Sequence, residues 1–292
     1  MNYKEFETII KELFETKEPN VSITPVITRK NNNILYRGLA FRIPGINVAP
    51  AVYLDDAYHE YQNGGSISVI YEKLYHTYKS LPLKNTEADL LVDFEKVKDK
   101  IVYKLINFEQ NKNLLEEIPY VPSLDLAIVF YLLLDITDDC TASILIRNEH
   151  LSIWGVDTDM VYSCAQKNTP ELLPVSIQSM EDVISAIDTA LVTDNINIEM
   201  LVLTNTYNQS GAGCILYNGV LKQLGCLLHE NFYILPSSTH ECLILPKSQA
   251  GSGAELKELI SEINQTFVDP SEVLSDHPYY YNRQKETLEI AA

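Results

Sequence analysis

Residues 126–134 read Leu-Ala-Ile-Val-Phe-Tyr-Leu-Leu-Leu, nine apolar positions without a break. A membrane-crossing helix needs about 20 such residues, so the run cannot span a bilayer. A half-buried strand would alternate apolar and polar side chains, and this run does not. With β-branched and aromatic residues among the leucines, Leu124 to Leu134 reads as a strand buried on both faces. That reading commits the chain to at least one internal sheet covered on either side. A partner strand, Ala142 to Arg147, is expected across the acidic turn Asp135-Ile136-Thr137-Asp138-Asp139.

The chain has enough material for such layers. Its 292 residues are 46% apolar and 21% charged, with 11 glycines and 13 prolines. These values exclude a disordered chain, a fibre and a disulfide-stapled peptide, and the length suggests two domains or one large one. The first fifteen residues interleave charge with apolar side chains and lack a basic segment leading into an apolar one, so they do not read as a secretory signal. A cytoplasmic protein is the expectation. The five cysteines, Cys140, Cys164, Cys214, Cys226 and Cys242, are odd in number and form no C-x-x-C pair, which points to reduced, buried thiols.

Phe6, Ile9, Ile10, Leu13 and Phe14 fall on one stripe of a helix that must stop before Pro19. Val21 to Thr28 and Ile34 to Ile43 read as strands joined by a turn at Lys30-Asn31-Asn32-Asn33, and Val48 to Leu54 as an edge strand because of Pro50. A helical stretch follows, broken at Gly64-Gly65 and restarted by Ser66 as N-cap of Ile67 to Tyr78, where Tyr71, Tyr75 and Tyr78 form a packing stripe. The first unit therefore reads α-β-β-β-α over residues 1–84, with a linker around Leu81 to Thr86.

Residues 85–292 read as a mixed sheet region. Its expected elements are a helix through Asp93 to Lys100, a strand at Ile101 to Asn107, a short helix at Leu114-Leu115 and a helix from Thr158 to Gln166 capped by Asp157. Further on come strands at Ile198 to Leu203 and Cys214 to Tyr217, and a helix at Val220 to Leu228. A hairpin of Phe232 to Leu235 with Glu241 to Leu245, a helix at Ala254 to Asn264 and a terminal hairpin from Tyr279 to Ile290 complete the order. Strand, strand, helix recurs, and Ser143 to Asn148 lines up with Gly213 to Asn218 as a possible internal repeat. The fold class expected is α+β, with antiparallel hairpins covered by helices, since strand-helix-strand alternation is scarce.

Forty acidic and 22 basic side chains give a net charge of −18, and by thirds the nets are −1, −12 and −5. Such a middle third repels nucleic acid, whose binding rests on clustered Lys and Arg, so no direct nucleic-acid partner is expected. It suits a basic protein partner, with Asp135, Asp138, Asp139, Asp157 and Asp159 as candidate contacts.

Catalytic signals are partial. Ser237, Ser238, Thr239, His240 and Glu241 bring hydroxyl, imidazole and carboxylate into one turn, the residue types of a nucleophilic site, but without a G-x-S-x-G elbow. A turn held by side chain to backbone hydrogen bonds explains them as well. His and Glu are neighbours at 59–60, 149–150, 229–230 and 240–241, yet adjacent residues face apart and no H-E-x-x-H occurs, so no metal site or cofactor is spelled out. Ser210-Gly211-Ala212-Gly213 lacks the Gly-Lys-Ser/Thr of a phosphate loop and reads as a turn. Trp154, the single tryptophan, reads as a core anchor.

Several separated strings, in order, carry a resemblance: Asp93 to Asn107, Leu124 to Tyr131, Trp154-Gly155, Asn168-Thr169-Pro170, Leu235 to Glu241 and Glu272 to Asp276. Together the chain resembles the bacterial family known as domain of unknown function 5688. The resemblance implies an intracellular bacterial protein and brings no catalytic residue with it. The function expected is that of a non-catalytic interaction or regulatory protein presenting an acidic surface to a basic partner. The alternative is a small-molecule binder or hydrolase-like enzyme with a cleft near His240 and Glu241.

Overall fold

The computed structural model describes residues 1–45, 49–80, 92–136, 141–187, 200–236 and 238–291. The protein is α+β, with antiparallel sheets throughout. It divides into two compact units, Met1–Val92 and Asp93–Ala292. The expected linker at 81–86, and with it the expected boundary after residue 84, lies outside the described residues.

The first unit runs α1 (Tyr3–Lys17), β1 (Ser22–Arg29), β2 (Leu35–Arg42), β3 (Ala51–Tyr53), α2 (Asp55–Gln62) and α3 (Ile67–Ser80). α1 starts at a reciprocal cap: Asn2 accepts from the Glu5 amide and Glu5 accepts from the Asn2 amide. Its stripe Phe6, Ile10 and Phe14 is fully buried, against Phe41, Tyr71 and Tyr78 among others. The turn between β1 and β2 places Asn32 and Asn33 at positive φ, a backbone state that asparagine tolerates. The sheet order is β1-β2-β3, so β1 is a long free edge. The Lys30 amide donates to the Ile34 carbonyl. By the alternation of an antiparallel ladder, even residues of β1 therefore bond β2 and odd residues point their backbone outward. Pro25 is odd. It interrupts the exposed edge without removing a donor from the ladder.

The second unit holds two sheets. One contains β4 (Ile101–Asn107), β5 (Tyr120–Ser123), β6 (Leu126–Ile136) and β7 (Thr141–Leu145). β6 is the nine-residue apolar run with two more residues, and it lies at the centre: β4 pairs along one side, while β5 and β7 follow one another along the other. β5 was not expected, because Pro119 and Pro122 read as a stop. As an edge strand it accommodates Pro122. α4 (Phe94–Val97) and α5 (Lys112–Leu115) flank β4, and α6 (Asn148–Trp154) with α7 (Thr158–Leu172) follow β7. α7 extends past Gln166, through Pro170, and its last turns cover the open edge of β4. Asn168 Nδ2 donates to the Lys98 and Ile101 carbonyls, and Thr169 Oγ1 accepts from the Tyr103 amide. Buried backbone groups at a strand edge need such partners, which gives Asn168-Thr169-Pro170 its structural role. Trp154 is buried beside Phe94 and His150.

The other sheet has the order β13-β12-β10-β11-β9-β8. Its strands are β8 (Val175–Ser179), β9 (Leu201–Asn205), β10 (Phe232–Leu235), β11 (Cys242–Pro246), β12 (Tyr279–Asn282) and β13 (Thr287–Ile290), accompanied by α8 (Met180–Ile187), α9 (Val220–Leu228) and α10 (Gly253–Thr266). One expectation fails here. Cys214 to Tyr217 is not a strand: Gly211–Leu216 forms a 3₁₀ helix, and β9 pairs instead with β8 and β11. The cause is close packing. A Cβ on Gly211 would lie 2.2 Å from Thr204 Oγ1 and 2.5 Å from the His240 carbonyl oxygen, and Cys214 Sγ donates to the Thr204 carbonyl. The segment also touches the other sheet, through Tyr103 OH donating to the Gly213 carbonyl, and so ties the two sheets together. The strings 143–148 and 213–218, aligned as a possible repeat, thus begin as strand in one place and 3₁₀ helix in the other. Cys214 and Cys242 are buried, Cys164 is partly so and Cys226 is exposed, which corrects the expectation of uniformly buried thiols; Cys140 lies outside the described residues.

Candidate functional site

The connections at one end of the β9–β12 strands converge on His240. Its Nδ1 accepts from the Ser210 amide at 3.2 Å, which puts the ring proton of the neutral form on Nε2, 3.3 Å from Glu272 Oε1. Its backbone amide donates to Ser238 Oγ and its carbonyl accepts from Thr204 Oγ1. The neighbouring Thr239 amide donates to the Glu272 carbonyl, and the Thr239 carbonyl accepts from the Ala212 amide. Ser238, Thr239, His240 and Glu241 are therefore together, but their joining partners, Ser210 and Glu272, come from distant segments. Ser237 lies outside the described residues. A general base needs a free lone pair, and both ring nitrogens of His240 are engaged. In this arrangement His240 fastens three connections to one another. Asn205 stiffens the second of them: its Oδ1 accepts from the Tyr207 and Gln209 amides and its Nδ2 donates to the Gln209 carbonyl.

A second cluster in the same unit was not legible in advance. Asp125 Oδ2 accepts from Ser275 Oγ at 2.6 Å and from His277 Nδ1 at 3.1 Å, and Oδ1 accepts from Tyr279 OH at 2.7 Å. Leu124, at φ 55°, turns the chain tightly enough to aim this carboxylate, at a cost of about 1 kcal/mol or more for a non-glycine residue. Asn107 Nδ2 donates to the Leu274 carbonyl, and Asn264 Nδ2 to the Ser275 carbonyl and Asp276 Oδ1. Ser275 and Tyr279 are fully buried. Burial, and next the adjacent Asp125, push the Tyr279 hydroxyl far above its ordinary range, so it stays a donor. Because Asp125 only accepts, Nδ1 carries the proton in the neutral form of His277, and Nε2 has no partner among the described residues. This is a carboxylate-oriented imidazole. The partners lie 150 to 154 residues from Asp125, so no local motif announces them. Asp125, Glu272 and Ser275 do occur within the strings that carried the family resemblance.

The expected acidic contacts that are described lie on two elements, α7 and β6. Asp157 caps α7, its Oδ1 accepting from the Met160 amide at 2.9 Å, and Asp159 is exposed in the first turn. Asp135 lies on β6 at the bulge facing Ala142 and is partly buried. Asp138 and Asp139 are outside the described residues. Among the described residues no three His, Cys, Asp or Glu side chains are grouped to hold a metal ion, and no helix is long and apolar enough to cross a membrane.

The sequence model of a family of unknown function, DUF5688, matches residues 3–283. The chain belongs to this family. No curated protein and no solved structure matches it. In this DUF5688 chain the match extends over both units, so the His240 and Asp125 clusters lie within the family region.

Proposed function

We propose that the protein is a non-catalytic interaction or regulatory protein whose second unit presents an acidic surface to a basic macromolecular partner. The observation that carries this reading is charge segregation. Residues 1–92 hold 11 acidic and 10 basic side chains, whereas residues 93–292 hold 29 and 12, so a net of −17 out of −18 belongs to the second unit. Asp99, Glu116, Glu149, Asp159, Glu171, Glu258 and Glu262 are exposed there with no basic partner among the described residues. A field of one sign steers an oppositely charged partner and raises its on-rate, and it is screened within about 10 Å at 0.1 M salt. Capture with the intact chain, identification of the retained protein and a salt titration of the reconstituted pair test this reading. A partner with a basic isoelectric point whose affinity falls steeply with salt supports it; a neutral or acidic partner, or salt-insensitive binding, defeats it.

The second reading, a small-molecule binder or hydrolase-like enzyme, has its specific support in His277. An imidazole held by Asp125 with Nε2 open is poised to take a proton from water or a hydroxyl. A panel of small metabolites scored by thermal shift tests it: a ligand whose stabilisation disappears in His277→Ala supports proton-transfer chemistry, and a panel without any shift counts against it.

A further inference from the structure

We propose that α10 carries the docking face, and that its occupant is a basic amphipathic helix of the partner. The inference rests on the acidic-surface reading and locates it. One face of α10 is used internally: Gly253, Leu256, Ile260 and Asn264 are buried, and Leu256 and Ile260 pack with Leu235 and Leu245 of β10 and β11. Beside that face lies a second set of apolar side chains, exposed at Leu259 and Phe267 and partly buried at Ile263. Leu259, Ile263 and Phe267 follow at i, i+4 and i+8; Leu259 is 47% exposed and Phe267, at the C-cap, is 81% exposed, the most exposed of the large apolar side chains described. Leu259 and Ile263, one turn apart within the helix, form an i, i+4 row of the kind that fits the groove of another helix, and Phe267 stands at its non-helical C-cap.

Charge specifies the occupant. Glu255, Glu258 and Glu262, at i, i+3 and i+7, form an exposed row alongside, each three or four residues from Leu259 or from one another. Glu255 bonds Ser252 at the N-cap. Glu258 and Glu262 have no cation among the described residues, and like charges at i, i+4 weaken a helix slightly. A Lys- or Arg-bearing helix removes that repulsion while its apolar side chains cover Leu259 and Phe267. Lys257, the one cation of α10, projects on the far side of the buried face, about 100° or more around the helix from the carboxylate row. Three carboxylates also disfavour a second copy of this chain and an anionic membrane, both of which would be repelled.

The test uses the full chain and a fluorescein-labelled, 18-residue synthetic helix of leucine and lysine, with leucines in an i, i+4 row, followed by anisotropy at low salt. Leu259→Ser with Phe267→Ser, and separately Glu258→Gln with Glu262→Gln, should each weaken binding by about tenfold or more. The glutamine pair should also flatten the salt dependence. Asp157→Asn with Asp159→Asn, on α7, should stay within about threefold. Because Glu258 and Glu262 are exposed and have no partner among the described residues, their glutamine variants keep the fold, which circular dichroism verifies. Binding that the α10 variants leave intact, or that the α7 variant weakens equally, sinks the α10 assignment while the acidic reading stands. No binding by the wild-type chain sinks both. Dimerisation or vesicle binding that depends on Leu259 and Phe267 also overturns the proposal, by assigning the face to another occupant.

Discussion

The two units bury their cores with different chemistry. In residues 1–92 the centre is aromatic: the Phe14 ring lies 4.9 Å from Phe41, 5.1 Å from Tyr71 and 5.8 Å from Tyr78. Cations rest on the outer rings, with Lys17 Nζ 3.7 Å from the Tyr75 centroid and the Arg37 guanidinium 3.6 Å from that of Tyr3. In residues 93–292 polar knots hold the elements: Thr169 ties α7 to β4 and His240 fastens the connections of one sheet, while the Gly211–Leu216 segment and Asp125 link the two sheets. The rings around Phe14 meet edge to face, the geometry that the quadrupole of an aromatic ring favours. Buried hydrogen-bond networks rigidify the elements they join, and each group left unpaired carries a cost. The balanced surface of the first unit contrasts with the carboxylates of the second.

The largest expected effect tests the aromatic centre. Phe14→Ala should cost about 3–5 kcal/mol, the usual range for removing a fully buried ring. Hydrogen exchange read separately for the two units should show the loss in residues 1–92; equal loss of protection in both would break the comparison. Asp125→Ala comes next, at about 3 kcal/mol, because it strands the buried Ser275 and Tyr279 hydroxyls. Tyr279→Phe removes one donor and should cost about 1 kcal/mol. A cost for Asp125→Ala no larger than that of an exposed carboxylate would show that the knot is dispensable.

The smallest effect separates the units by pH. His150 in the second unit accepts the Arg147 amide on Nδ1, and burial, then Arg147, hold its proton affinity below the ordinary 6.5. The unfolded chain binds that proton first, so the contribution is complete above pH 6.5 and lost as pH falls through the lowered value. Glu18 in the first unit is held below its ordinary 4.5, first by the hydrogen bond from Lys79. Its contribution is complete above 4.5 and lost only in stronger acid. Denaturant unfolding between pH 7 and 5 should therefore weaken the second unit first, and His150→Gln should flatten that dependence. Weakening of the first unit ahead of the second would contradict the assignment.

Much of this architecture was readable from periodicity. The stripe from Phe6 to Phe14, the central strand and the helix at 220–228 stand almost where expected, because each has a strong local pattern and clear stops. β5 was hidden by its prolines, which an edge position permits. The 3₁₀ helix at Gly211–Leu216 was mistaken for a strand because its apolar residues answer to tertiary contacts rather than to alternation. Of the polar turn, Ser238 and His240 were visible as neighbours, whereas their partners Ser210 and Glu272 were not. Asp125 reads as the second residue of the strand from Leu124 to Leu134, since nothing in its neighbours refers to Ser275, His277 or Tyr279.

The Asp125 knot also orders events during synthesis. Tyr279 follows Asp125 by 154 residues, so a ribosome exposes the carboxylate long before its hydroxyl partners are made. Until residue 279 emerges, that turn stays hydrated and its sheet lacks the anchor to β12. Nascent chains arrested before that point would carry an open, hydrated seam, the kind of half-built surface that chaperones and proteases sample first.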